Sequence, residues 1–472
     1  MSESSASTES ESPTLFVLYG ATGDLAKRMV LPAFFSLFTE GLLPTQWRLV
    51  GNGRGDVSHE NFRGHVHDVL TEFASPLDER QFELFAQNLA FAGGGFDADN
   101  PGSLLDVLAE QRKDLGDDVQ LIHYFAVPPS AFEELTKALG AHDLAKGSRV
   151  VYEKPYGTSP EKFKELDEVV HSVLDESQVF RIDHFLGKEA TQDLHVLRFG
   201  NTLFHTIWNR EHVRAVQIDV PETLDIDDRA EFYDHTGAFL DMIVTHLFQL
   251  AAEVAMEPPV SMSAEDLQTA REGVIAAFRP LDVNDVVLGQ YEGYQQVEGI
   301  DPKSSMDTFV AARLWIDTDR WHGVPFFLRT GKRLSAGAQT VSLLLSPPDG
   351  PLTHVPPNGN VLTFVLDGSG KIDVKMVVKE PGAEFVLTDA DASLDLAKVA
   401  KADPLAPYAR LIHDVLAGDL SLFTRPDGLA NVWKVATPVL DHRPEVQPYE
   451  QGSWGPAAAA DLVAPDRWLL GQ

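Results

Sequence analysis

An apolar, β-favouring run, Thr14-Leu-Phe-Val-Leu-Tyr19, stops at Gly20 and passes at once into a helical pattern. No other stretch narrows the possible folds as much. A strand that is apolar at consecutive positions is buried on both faces, which is the habit of parallel sheets covered by helices. The turn that follows is Gly20-Ala21-Thr22-Gly23-Asp24-Leu25-Ala26-Lys27. Its small residues let the backbone approach a pyrophosphate, and the helix N-terminus behind it offers its N–H groups to the anion. The spacing is Gly-x-x-Gly-x-x-Ala rather than the commoner Gly-x-Gly-x-x-Gly, so it is the strand and helix on either side that make the glycines informative.

The chain continues in the rhythm this start predicts. A second strand, Arg48-Leu-Val50, ends at Gly51-Asn-Gly-Arg54. At that place in a dinucleotide fold an acid suits the ribose of NAD and an arginine suits the 2′-phosphate of NADP, so Arg54 favours NADP, with NAD left possible. Helical patterns over Ser58–Phe73, Asp78–Gln87 and Leu104–Lys113 alternate with short apolar runs. Gln120–Val127 reads as a buried strand ended by Pro128-Pro129, and Arg149–Tyr152 as another that runs into Glu153-Lys154-Pro155. Ligands in such sheets lie beyond the carboxyl ends of the strands, which puts Pro128 and Lys154 near a cofactor's reactive end. The N-terminal domain is therefore predicted over residues 14–190, after a disordered acidic tail over residues 1–13.

From about Leu194 the texture changes to alternating segments. Val213–Val220, Phe309–Ile316, Thr340–Leu345, Val361–Leu366 and Lys371–Val378 predict an antiparallel sheet, and with it a second, α+β domain over residues 191–472. A length of 472 residues with 44% apolar side chains supports two cores. The absence of cysteine removes disulfides, thiolate metal sites and thiol nucleophiles. No signal peptide and no membrane-length apolar run is evident, so a cytoplasmic location is expected. A formal charge of −33 argues against nucleic acid and anionic membranes as partners. A small anionic ligand would instead need local cations, and these occur in short runs: Lys27-Arg28, Arg54, Lys154, His184 with Lys188, and Arg329 with Lys332-Arg333.

Arg181-Ile-Asp-His-Phe-Leu-Gly-Lys-Glu189 sets a carboxylate, an imidazole and an ammonium within a few residues of one another. Asp183 can orient a general base from elsewhere in the chain, because a carboxylate accepting an imidazole N–H fixes the tautomer and stabilises the charge formed on proton uptake. His184 and Lys188 can hold an anion. A solvated loop with incidental charge pairs is the plainer alternative. The helix after Gly237, Ala238–Met256, is apolar on most faces yet carries Asp241 and His246. A single histidine there is either a satisfied core residue or the base that Asp183 would serve.

Taken in order, Gly20–Lys27, Glu153-Lys-Pro-Tyr-Gly157, Arg181–Glu189 and Leu328-Arg-Thr-Gly-Lys-Arg-Leu334 resemble the motifs of the glucose-6-phosphate dehydrogenase family, over nearly the whole chain. The resemblance implies a Rossmann-like α/β domain that binds NADP and an α+β domain with a large antiparallel sheet. It implies that His246 takes the proton from the sugar C1 hydroxyl with Asp183 as its partner. His184 and Lys188 would hold the 6-phosphate, and Lys154 would lie between sugar and cofactor. Glu222, Asp241 and Lys332 would contact sugar hydroxyls, with Gly20 through Lys27, Arg54 and Tyr124 on the cofactor side. No metal is implied, hydride chemistry being the nicotinamide's. A homodimer or homotetramer is the family's habit.

The chain departs from the family pattern on the sugar side. Phe185 stands where a tyrosine is usual, Leu240 where arginine is usual, and Val244-Thr245 where Gln-Asn usually precede the base. Gly337 and Ala338 lie where a second basic residue is expected, and Asp367 occupies a glutamine position. Two other functions stay open on these grounds: a related dehydrogenase acting on a sugar with a different C6 group, and a non-catalytic NADP-binding regulator. Retention of both Asp183 and His246 speaks against the second.

Overall fold

The computed structural model describes every residue except 1–11, 117, 227–228, 353–359, 369, 400–403 and 472, so all but the end of the expected N-terminal tail lies outside the described residues. The chain divides into two compact units, Met1–His184 with Ala406–Thr424, and Phe185–Leu405 with Arg425–Gln472.

The first unit is built on a parallel sheet in the order β3-β2-β1-β4-β5-β6. The strands are β1 (Thr14–Tyr19), β2 (Trp47–Asn52), β3 (Leu89–Ala92), β4 (Gln120–Phe125), β5 (Arg149–Tyr152) and β6 (Val179–Arg181). β1 lies between β2 and β4, with Tyr19 opposite both Asn52 and Phe125. Leu15 through Leu18 are fully buried, as their unbroken apolar run predicts. The chain moves outward from β1 to β3 and then returns to β4, so the order reverses between β1 and β4, the place where open α/β sheets bind ligands. The helices expected from periodicity are present as His59–Phe73, Glu79–Ala86 and Leu104–Leu115. Their starts have local causes. The Ser58 side chain accepts the Asn61 N–H, and Asp78 accepts those of Arg80 and Gln81. Ser159 does the same for Lys162 ahead of the helix Pro160–His171.

This unit also contains a helix from far along the chain, Pro407–Ala417. The Arg149 guanidinium donates to the Val415 and Leu416 carbonyls at 2.8 and 2.6 Å, satisfying the last turn and complementing its negative end. Gly418, with φ +78°, ends the helix where a Cβ would come within 2.7 Å of Arg149. Beyond it, Phe423 meets the ring of Phe180 edge-on at 4.9 Å.

The second unit holds a nine-stranded sheet in the order β14-β13-β12-β11-β7-β10-β9-β8-β15. Its strands are β7 (Val213–Pro221), β8 (Val286–Tyr291), β9 (Phe309–Leu314), β10 (Phe326–Gly331), β11 (Thr340–Leu345), β12 (Val361–Val365), β13 (Lys371–Lys379), β14 (Leu387–Asp395) and β15 (Val446–Tyr449). The sheet is antiparallel apart from two parallel pairings, β7 with β10 and β8 with β15, which makes it mixed. β8, β10, β14 and β15 have no counterpart among the strands expected from sequence.

The long apolar helix spans Ala230–Ala255 and is the one helix among the described residues with the length and hydropathy to cross a membrane; 89% of its apolar 18-residue window is buried inside the protein. It kinks at Gly237, whose φ is +66°, and continues in wide π-type turns over Phe239–Leu247 before becoming α-helical at Phe248.

Candidate active site

In the first unit the turn after β1 is held from both sides. Gly20 and Ala21 donate their N–H groups to the Asn52 carbonyl at the end of β2, at 3.0 and 3.2 Å. Gly20 has φ +73°, and a Cβ on it would lie 2.3 Å from the Ala126 carbonyl oxygen just beyond β4. Only glycine allows that approach. Gly23 donates to the Gly20 carbonyl at 2.8 Å, and Lys27 to that of Gly23 at 3.1 Å. Ala21 and Ala26 are buried, Gly23, Leu25 and Lys27 half-buried, Thr22 and Asp24 exposed. The result is a backbone cradle of small residues at the switch point of the sheet, shaped for a pyrophosphate. Arg54 is exposed at the end of β2, and among the described residues it makes no ion pair. Arg28, by contrast, pairs with Asp24 at 2.7 Å.

Tyr124 on β4 is fully buried and donates its hydroxyl to Glu153 Oε1 at 2.6 Å, while Tyr408 approaches Glu153 Oε2 at 3.4 Å. Burial pushes the Glu153 carboxyl above its ordinary range, against the Tyr124 hydrogen bond and the adjoining Lys154 charge. Lys154 is half-buried and precedes a cis proline. Glu153 opens the Glu153–Gly157 motif, where the sequence alone gives no sign that its carboxylate meets Tyr124 and Tyr408. Arg181 opens the other motif as a structural clamp, bound to Glu176 at 2.7 Å and Asp167 at 3.3 Å, with Tyr156 under its guanidinium at 4.6 Å. Asp183 is buried, and the His184 ring stacks on Tyr408 at 6.3 Å.

In the second unit His246 is fully buried on the wide-turned helix, and the Phe185 ring lies 4.7 Å from its imidazole. Lys188 Nζ is 4.3 Å from the Phe185 centroid on the ring face. Within the wide turns the Thr245 hydroxyl donates to the Leu240 carbonyl five residues back at 2.8 Å.

A second group of polar residues follows from the sheet. Pro221 and Gly331 are partners at the ends of parallel β7 and β10, so Glu222 and Lys332, each the next residue, emerge side by side and form an ion pair. Two strand positions earlier, Asp219 and Arg329 form a buried pair, with Trp454 and Trp468 at 4.9 and 4.3 Å from the guanidinium. Arg333 pairs with Asp225. Of the basic run seen in the sequence, Arg329 is therefore a core residue. Tyr233 lies beneath Lys332, whose Nζ is 5.8 Å from its ring, and its buried hydroxyl makes no hydrogen bond among the described residues. Burial, reinforced by the carboxylates of Asp241, Asp307 and Glu222, holds that hydroxyl well above its ordinary pKa. Neither Tyr233 nor Asp307 carries a local signal in the sequence beyond its residue type.

Two family models match end to end along the chain: the NAD binding domain of glucose-6-phosphate dehydrogenase over residues 17–193, and the C-terminal domain of the same enzyme over residues 195–469. The chain belongs to the glucose-6-phosphate dehydrogenase family. It is 34% identical to glucose-6-phosphate 1-dehydrogenase of Treponema pallidum over 97% of this chain and 95% of that one. It is 35% identical to glucose-6-phosphate 1-dehydrogenase 2 of Mycobacterium tuberculosis over 96% and 93%. Among solved structures it resembles glucose-6-phosphate 1-dehydrogenase from Mycobacterium avium, with a TM-score of 0.86 at 33% identity over 97% and 98% of the two chains. A glucose-6-phosphate dehydrogenase in complex with its substrate glucose-6-phosphate gives a TM-score of 0.90 at 29% identity over 98% and 99%.

Against the glucose-6-phosphate dehydrogenase pattern, the departures fall into two kinds. Phe185 and Val244 are buried in the second unit, and Thr245 is engaged in the helix turn. Gly337 and Asp367 are exposed in loops.

Proposed function

We propose that this chain is an NADP-dependent glucose-6-phosphate 1-dehydrogenase, oxidising C1 of glucose 6-phosphate to a phosphogluconolactone. The observation that carries this reading is a buried histidine, His246, on a helix that also bears Asp241, in a chain that follows a substrate-bound family structure over 98% of its length. His246 accepts the proton of the C1 hydroxyl, which must leave as hydride departs from the same carbon, and Asp183 serves as its partner. A bound nicotinamide cofactor supplies the hydride acceptor. The turn from Gly20 to Lys27, through Ala21, Thr22, Gly23, Asp24, Leu25 and Ala26, holds the pyrophosphate, and Arg54 the 2′-phosphate. Tyr124 contributes on the cofactor side through its bond to Glu153. Lys154 lies between sugar and cofactor.

His184 and Lys188 hold the 6-phosphate, and Glu222, Asp241 and Lys332 the ring hydroxyls. The Glu222–Lys332 pair supports this last assignment, since together the two offer both an acceptor and a donor to a polyol. We also infer a cytoplasmic homodimer or homotetramer. A sugar with another group at C6 is the second reading, favoured by a buried phenylalanine beside Lys188.

Nicotinamide reduction by the purified protein, offered glucose 6-phosphate, glucose and other hexose 6-phosphates with NADP or NAD, tests the proposal. Preferred turnover of glucose 6-phosphate is expected, and a preference for another sugar would replace the assignment. In the same assay His246→Asn should lower kcat by about 10²–10⁴, the usual worth of a positioned base. Turnover within a few-fold of wild type would remove His246 from the chemistry.

A further inference from the structure

The helix that carries Asp241 and His246 has no side-chain cap from its own flanking residues. Its start is satisfied from elsewhere in the second unit. Asp307, ahead of β9, accepts the Phe239 N–H on Oδ2 at 2.7 Å and the Ala238 N–H on its backbone carbonyl at 2.9 Å. Asp307 is fully buried, and Arg443 donates to its Oδ1. The kink at Gly237 makes room for this arrangement. A Cβ on Gly237 would lie 2.7 Å from Asp307 Oδ1 and 2.6 Å from Met306 Sδ, and its φ of +66° is one that side chains rarely adopt. The first N–H groups of a helix have no partner within it, and the positive end of the helix favours a carboxylate. Asp307 meets both conditions for this one helix.

We propose that Asp307 is a positioning residue for the sugar site: held by Arg443, its carboxylate fixes where the helix begins and so where Asp241, in the first turn, presents its carboxylate. This rests on the dehydrogenase reading above. Asp241 is two residues beyond Phe239 and moves with the cap. His246 lies further along, where the Phe185 ring packs against it, and moves less. The loss of the cap therefore bears on sugar binding more than on turnover.

The test uses the full chain as Asp307→Ala, Asp307→Asn and Arg443→Gln. Asp307→Ala should raise KM for glucose 6-phosphate by about tenfold, equivalent to ~1.4 kcal/mol of lost sugar binding. KM for NADP should stay within about twofold and kcat should fall less than KM rises. Asp307→Asn keeps an oxygen that accepts the Phe239 N–H and should restore most of the loss. Arg443→Gln, at an exposed position, should give a smaller rise of the same kind. Amide exchange at Phe239 should quicken in Asp307→Ala and not in Asp307→Asn. An unchanged KM for the sugar, with only a lower Tm, would reduce Asp307 to a stabilising contact and overturn the proposal. Equal damage from Asn and Ala would overturn it too. If wild type oxidises no hexose phosphate, the dehydrogenase reading fails separately, and amide exchange still decides whether Asp307 holds the helix start.

Discussion

Phe185 packs its ring against His246 and lies under Lys188, so the residue that departs from the family's usual tyrosine sits beside the proposed base and a proposed phosphate ligand. Adding a hydroxyl to that ring would supply one more donor to a charged group, worth about 1.5–3 kcal/mol where it reaches the phosphate. Phe185→Tyr is expected to lower KM for glucose 6-phosphate by up to about tenfold, since 1.4 kcal/mol is tenfold. Little change in kcat should follow, because a contact made equally in ground and transition states is uniform binding. A higher KM with a lower Tm would mean that the para position is closed and the hydroxyl is buried without a partner. On the cofactor side, Arg54 is exposed at the end of β2. Arg54→Ala should weaken NADP by about 1.5–3 kcal/mol and NAD hardly at all, because only NADP carries the 2′-phosphate. Equal loss for both, measured by cofactor titration, would make the arginine structural.

Among the elements, the pair of helices Ala264–Ile275 and Pro426–Asp441 contains a titratable contact that the proposed chemistry does not use. Glu272 is buried against the first turn of the second helix, so close to Gly428 that a Cβ there would overlap its carboxylate. Burial raises its pKa from 4.5 to about 7, with Asp427 adding to the rise and Arg271 opposing it. At low pH the group is protonated in both folded and unfolded chains. As pH rises above 4.5 the unfolded chain ionises first, so stability is lost until the folded carboxyl ionises near 7. A shift of that size corresponds to about 3 kcal/mol. Glu272→Gln should match wild type in acid and exceed it above neutrality, in denaturant melts taken across pH. Parallel curves for the two proteins would show that Glu272 ionises normally.

For the whole molecule, the outer hairpin of the large sheet leaves Phe385 69% and Leu394 47% exposed, with Met376 and Val378 also open to solvent. Apolar side chains on an edge strand invite pairing with another copy. In the proposed oligomer, Phe385→Lys with Leu394→Lys should therefore reduce the mass seen by light scattering to that of one chain, and an unchanged mass would take this hairpin out of the proposed contact. The sequence by itself determined the elements whose causes are local. The caps at Ser58, Asp78 and Ser159 are set by neighbours a few residues away, and the strand, glycine turn and helix at residues 14–39 and the four family motifs are legible as continuous runs of sequence. His246 and Asp241 were legible too, as polar residues on an apolar helix. Tertiary structure decided what depends on distant partners. Parallel pairing of β7 with β10 joined Glu222 to Lys332 across 110 residues and turned Arg329 inward onto Asp219. The first unit took in the helix Pro407–Ala417, and Asp307 became the cap of a helix it does not adjoin. A pattern of apolar spacing states which face of an element is buried, but the identity of what covers that face is fixed only when the chain closes on itself.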